Sequence, residues 1–398
     1  MINVCVNGEI NGKKRDITID IIKALGIIGM VMGHSGSPIT KFIYLFHMAI
    51  FFIASGYCYN TKNTDSIDDV LKYIKKKFVS LWFPYVLWTA IYSLLHNFFI
   101  TINVYTDNPL LLSYVEGQYV AITEPWTFTD VIKNIVKALF LQGRTQMGGA
   151  FWFLATLMEI SLAYGFIDFI LKQLLQKKHK LTIQTIISII LLILGYICSL
   201  KNYSFYGVNR VLSCYILFHG GFLLREFKVY GNERKVYVHF LAGLLSFIIL
   251  YVCNGIGAVS VASNSYKNPV FFLVVSFIGW QFLYEMAFFM QLSSRIKKCM
   301  VIIGQNTMPV VILHFLCFKI VSYLGVLVKK DPLCLVAAFP VLYEGSCWWM
   351  AYLIVGLGVP VALGLLWKQV KIIFKNNLRV KMLNVYNSNN TKISCKIR

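Results

Sequence analysis

Ten ionisable side chains lie within long apolar stretches of this chain: Asp20, Lys23, His34, His47, Glu159, Asp168, His219, Glu285, His314 and Lys319. A charged group at the centre of a bilayer costs roughly 2.5–3.5 kcal/mol to insert, so each of these marks a candidate site. Spacing singles out the first three. Lys23 and His34 are eleven residues apart, which on a helix returns to within about 20° of the same face and covers about 16 Å along the axis. Asp20 precedes Lys23 by three residues and can pair with it on that face. An ammonium at one end of such a stripe suits an anionic ligand, and a neutral imidazole at the other suits proton transfer near neutral pH. Between them Gly26, Gly29 and Gly33 leave room for a close neighbour or a thin ligand. The stripe is therefore expected to line one polar passage through the membrane.

The remaining composition specifies what must hold that stripe. The chain has 398 residues, of which 58% are hydrophobic and 14% charged, with a mean hydropathy of +0.65. These values exclude a water-soluble globule and a disordered chain. Continuous apolar runs such as Ile183 to Leu200 and Val236 to Val252 exclude a membrane β-barrel. The expected fold class is all-α, a polytopic integral membrane protein with about ten transmembrane helices. These are Ile17 to His34, Ile39 to Tyr59, Val79 to Thr101, Ala150 to Leu171, Ile183 to Leu200, Val211 to Leu224, Val236 to Val252, Pro269 to Met290, Val301 to Val328 and Gly345 to Trp367. One set of connecting segments holds 27 of the 38 Lys and Arg, which by the positive-inside rule places both termini in the cytoplasm. Residues 1–16 form a cytoplasmic N-terminus without a cleavable signal, 17–367 the membrane domain and 368–398 a basic, mobile cytoplasmic tail.

The net charge of +21 is thus mostly topological, and no basic stripe on a soluble domain points to nucleic acid. The lysine runs at 75–77 and at 177, 178 and 180 are solvated cytoplasmic charge or a seat for an anionic nucleotide or lipid head group. Ten cysteines are scattered singly, with no metal-ligand spacing, so no metal is expected. Cys334 and Cys347 are the one pair that could meet outside the membrane. The segment 102–149, with Asp107, Glu116, Glu124 and Asp130, is an extracytoplasmic loop and a candidate lid or acceptor platform. Within it Thr129 to Leu141 reads as an amphipathic helix suited to the membrane surface.

Lys23 and His34 together resemble the Arg/Lys-x10-His motif of the membrane acyltransferase-3 family. Gly33-His34-Ser35, followed by Phe46-His47-Met48-Ala49-Ile50-Phe51-Phe52-Ile53-Ala54-Ser55-Gly56-Tyr57, is similar to the GHS…FHMPxFFxxSG pattern of its fucose 4-O-acetylase-like branch. Lys77 to Tyr85, Trp152-Phe153-Leu154, Phe218 to Gly221 and Ile303 to Met308 with His314 resemble later family elements, so the likeness runs from about residue 15 to 370. Ala49 stands where the branch usually has Pro, and His219 where it has an aromatic residue.

The resemblance implies transfer of an acyl group, often acetyl, from acyl-CoA to a hydroxyl of a sugar, glycolipid or related acceptor, by a multi-pass protein of the bacterial cytoplasmic membrane. Acetyl-CoA or another acyl-CoA is then a donor substrate, with no tightly bound cofactor, and homo-oligomerisation is left open. His34 is the expected general base, Lys23 the group that orients the donor and Asp20 the group that holds Lys23. His47, Ser35, Trp152, Glu159, Arg210, Asn306 and His314 are the expected substrate-binding residues. Direct attack and a covalent acyl-imidazole or acyl-Ser35 relay both remain open. The competing class is a proton-coupled secondary transporter or flippase, since buried Asp, Lys, Glu and His also describe carriers; paired broken spans in two matching halves are not evident.

Overall fold

A computed structural model describes residues 9–10, 13–14, 16–111, 122–230, 234–345 and 347–394, so Glu116 lies outside the described residues. The strand pair β1 (Glu9–Ile10) and β2 (Lys13–Lys14) precedes α1 (Ile17–His34). Asp16 starts α1 by accepting hydrogen bonds from the amides of Thr18 and Ile19, two donors a helix start cannot satisfy itself. Short helices α2 (Thr40–Tyr44) and α3 (Ala49–Tyr57) form the second apolar stretch. Then come α4 (Ile67–Lys77), a π-helical turn at Phe78–Trp82, α5 (Phe83–Leu94) and α6 (His96–Thr101). Pro84 has no amide hydrogen to continue an α-helical ladder, and the π turn sits just before it.

Next are α7 (Phe128–Leu139), α8 (Trp152–Leu174), α9 (Lys177–Leu200), α10 (Val208–Glu226) and α11 (Val236–Ile256). A small hairpin of β3 (Val259–Ser260) and β4 (Ser265–Tyr266) leads to α12 (Pro269–Leu292), α13 (Ser294–Gly304), α14 (Thr307–Lys329) and α15 (Trp348–Ser394). Helix α1 is the hub, packing against α2, α3, α12, α13, α14 and α15. Ile21, Ile22, Ala24, Ile27 and Val31 are fully buried there. By contrast α9 and α11 expose Ile186, Ile190, Ile193, Leu241, Leu245 and Ile248, a surface that water would not stabilise and hydrocarbon would.

Eight helices among the described residues are long and apolar enough to cross a membrane, against the ten spans expected. Two differences account for the gap. The stretch 79–101 is divided among the π turn, α5 and α6, and α10 carries Asn209, Arg210, His219, Arg225 and Glu226. Two other expected spans are broken. Leu45–Met48 form turns between α2 and α3, and Gln305-Asn306 separate α13 from α14. The last helix continues to Ser394, into the segment expected to be a mobile tail.

The amphipathic helix begins slightly earlier than the sequence suggested. Thr127 and Asp130 form a capping box, and the Thr127 hydroxyl and amide hold the Asp130 carboxyl below the usual carboxylate range. Ala138 is buried on the side facing α5, while Phe128, Ile132, Val136 and Phe140 are exposed. Cys334 and Cys347 are free thiols.

Candidate active site

Both ends of the α1 stripe face the α2–α3 unit, as the helical arithmetic requires. Lys23 lines a cavity of about 180 Å³ with Ala54, Ser55, Cys58, Asn63, Lys76 and Lys77 among its walls. The Lys23 ammonium stands 3.9 Å from the carboxylate of buried Asp20. Three lysines around one space concentrate positive potential there. The wall formed by the loop Asn60–Asp65 is pinned by Asp168, which accepts from the Tyr59 hydroxyl (2.9 Å), Thr64 Oγ1 (2.5 Å) and Lys180 Nζ (2.7 Å). Lys172 adds a hydrogen bond to the Thr61 carbonyl and an ion pair with Asp65 at 2.8 Å.

His34 lines a second cavity, of about 60 Å³, with Met30, Tyr44, His47, Met48, Ala150, Trp152 and the hairpin residues Val259 to Ala262. The two cavities share no lining residue. The single open passage expected from the sequence is therefore corrected to two chambers on one stripe. The physical reason is that the glycines, expected to leave a groove, are covered by rings: Phe51 lies over Gly26 and Tyr44 over Gly33.

Hydrogen bonds assign the imidazole tautomers. The Gly33 carbonyl can only accept, so the Tyr44 hydroxyl donates to it at 3.1 Å. The Tyr44 oxygen then accepts from His34 Nδ1 at 3.3 Å, which leaves His34 Nε2 with its lone pair. His47 Nδ1 donates to the Ile43 carbonyl (3.0 Å) and His314 Nδ1 to the Val310 carbonyl (2.9 Å), so their Nε2 atoms are acceptors too. His314 stacks on His34 at a centroid separation of 5.6 Å, and His47 stacks on Tyr44 at 4.9 Å. Buried His314 Nε2 has no hydrogen-bond partner. As neutral rings all three keep an acceptor Nε2; His34 and His47 line the small cavity and His314 stacks on His34, which suits a ligand bearing hydroxyl or other donors. Among the described residues no cluster of His, Cys, Asp and Glu could hold a metal.

A family model described as an acyltransferase domain matches residues 16–367. The chain belongs to the acyltransferase-3 family. No curated protein and no solved structure matches it significantly. Among the other expected site residues, Trp152 walls the His34 cavity, and the Arg210 guanidinium lies 5.4 Å from its ring centroid. Arg210 also donates to the Ala262 carbonyl at 3.1 Å, bracing the hairpin side, and Glu159 is within electrostatic reach of it. Two residues are placed elsewhere. Ser35 is buried with its hydroxyl donating to Met32 O at 2.9 Å and does not line the cavity. Asn306 donates to Ile302 O at 2.7 Å where α13 meets α14. Eight residues of rise put it about 12 Å along the axis from His314, at the end of the bundle where neighbouring Gly304 packs on the Asp20 carbonyl.

Tyr44 and the hairpin 259–262 are missing from the sequence expectations. Tyr44 precedes His47 by three residues, a helical spacing that could have placed both rings together, whereas nothing local ties the hairpin to His34. Other buried ionisable groups are satisfied structurally. Lys319 donates to the carbonyls of Val336, Ala337 and Ala338; His239 pairs with Glu285 at 2.5 Å; and His219 joins Tyr164 and Thr185. A hydrogen bond of the Tyr44 kind is worth about 1 kcal/mol net, so Tyr44→Phe should fold normally and lose about five- to tenfold in kcat. Wild-type kcat in that variant would remove Tyr44 from the arrangement.

Proposed function

We propose that this protein is an O-acyltransferase that moves an acyl group, most simply acetyl, from cytoplasmic acyl-CoA to a hydroxyl of a cell-surface glycan or glycolipid in the bacterial cytoplasmic membrane. The observation that carries the reading is the pairing of a polycationic chamber at Lys23 with an imidazole chamber at His34 along one helix. Lys23, Lys76 and Lys77 suit the phosphates of the donor's nucleotide, with the Lys23 face cytoplasmic as the lysine distribution favours. His34 Nε2 takes the proton of the acceptor hydroxyl as its oxygen attacks the thioester carbonyl. The C–S bond then breaks, the thiolate recovers that proton from the imidazolium, and an ester and free CoA result. Nothing in this route needs Ser35 or a covalent intermediate. The likeness of Gly33 to Tyr57 to the fucose 4-O-acetylase-like branch favours a sugar acceptor. A cavity of about 470 Å³ lined by His96, Tyr105, Glu124, Trp126, Asp130 and Arg144 supplies the rings and planar polar groups that a sugar ring needs.

The test is radiolabelled acetyl-CoA supplied to inverted vesicles. Label is expected in a lipid-linked or polymeric sugar with the wild-type protein and not with His34→Ala. Proton-coupled solute uptake without acyl transfer would replace this reading with a carrier. Lys23→Ala should raise the KM for acyl-CoA about tenfold, at the lower end of what a charge-assisted hydrogen bond contributes, and Lys23→Arg should stay near wild type because the role asks for charge. An unchanged KM in Lys23→Ala would defeat the donor assignment.

A further inference from the structure

The residues that stand between the chambers at Lys23 and His34 can be named from both walls. On α1, Lys23 belongs to one chamber and Met30 to the other; on the α2–α3 unit, Ala54 and Ser55 belong to the first and His47 and Met48 to the second. Gly26 lies three residues after Lys23 and four before Met30, while Phe51 lies three or four residues from each of its own chamber-lining neighbours. Three- and four-residue spacings keep to one helix face. The two midpoints touch: a Cβ added at Gly26 would stand 3.2 Å from Cζ and Cε2 of Phe51. The Phe51 ring also meets Phe153 of α8 at a centroid distance of 5.3 Å, and Ile50 Cγ2 lies 3.6 Å from the same Cβ position at Gly26, so the midpoint is apolar.

We propose that Phe51 is the gate between donor and acceptor chambers, and that movement of its ring off Gly26 opens the path by which the acyl-bearing end of the donor reaches His34. This rests on the acyltransferase reading above. The chemistry of the donor fits the division. Its phosphates are too costly to desolvate and stay with the lysines, whereas its pantetheine arm is thin, uncharged and ends in the thioester. Gly26 is what makes ring movement sufficient. With any larger residue there the layer would stay filled after the ring had left, and with glycine the departure of one side chain uncovers the stripe. Phe51 is thus a positioning residue, acting on the reach of the donor and not on the reacting atoms.

Cys58 lines the Lys23 chamber and reports on the gate without chemistry. In full-length protein with the other cysteines replaced, an impermeant anionic methanethiosulfonate reagent is applied from the Lys23 face or from the His34 face, using the two vesicle orientations. With Phe51 intact, Cys58 should react from the Lys23 face only. In Phe51→Ala it should react from both, with the rate from the His34 face raised at least tenfold. Phe51→Leu, which keeps most of the packing, should give a smaller increase and stands in if the alanine variant fails to insert. Gly26→Leu should leave labelling from the Lys23 face unchanged while acyl transfer falls at least tenfold. Labelling from the His34 face that stays at the wild-type rate in both Phe51 variants overturns the gate. Gated labelling in a protein that transfers no acyl group supports the gate and removes the acyltransferase reading instead.

Discussion

Replacing His34 with glutamine is expected to leave a correctly inserted protein that has lost acyl transfer by at least a hundredfold. Glutamine keeps a polar side chain that can still bond to the Tyr44 hydroxyl, which His34 Nδ1 meets at 3.3 Å, so the local packing survives. What disappears is a basic nitrogen. General-base catalysis contributes about 10²–10⁴-fold; His47 and His314 keep acceptor Nε2 atoms, but each ring is tied through Nδ1 to a carbonyl of its own helical turn and so cannot swing into the place of the His34 ring. Turnover measured with labelled acyl-CoA, alongside the yield of protein in the membrane, checks this. Retention of a tenth or more of wild-type kcat would mean that another group takes the proton.

The second large effect concerns assembly. A Cβ added to Gly56 of α3 would run into the carbonyl oxygen of Phe218, and one added to Gly221 of α10 would run into that of Ile53. Two backbones meet directly here, the close approach that small residues allow between membrane helices. Neither obstacle is the end of a flexible side chain, so a larger residue must push α3 away from α10. Overpacking of this kind costs about 1–3 kcal/mol and sometimes more. Gly221→Val should therefore lower the melting temperature of the solubilised protein markedly or abolish its recovery, and Gly221→Ala should do so to a smaller degree. Because α3 carries Phe51, Ala54 and Ser55, activity should fall with stability. An unchanged melting temperature in Gly221→Val would show that the two helices stand further apart.

Those effects trace back to features of unequal visibility in the amino-acid order. Helix α1 was legible to the residue, since an apolar run of eighteen residues is preceded by Asp16 and closed at His34. The common face of Lys23 and His34 followed from helical geometry alone. The breaks at Leu45–Met48 and Gln305-Asn306 were hidden because the residues on either side are apolar and a hydropathy average runs across them. Partners were less legible still. Asp168 meets Tyr59 and Thr64 more than a hundred residues away, and Tyr44 acts through the carbonyl of Gly33. Such pairings belong to tertiary packing, so the sequence could nominate Asp168 and Lys319 as costly groups without saying that both are satisfied structurally. The covering of Gly26 by Phe51 belongs to the same class, and it turned an expected passage into two rooms.

That separation has an energetic meaning for the cell. A membrane that stores work as an ion gradient discharges through any continuous water thread, and a protein with an ammonium near one surface and imidazoles near the other would be a ready proton wire. The Phe51 ring, packed on Gly26 and against Phe153, puts greasy side chains where such a thread would have to pass.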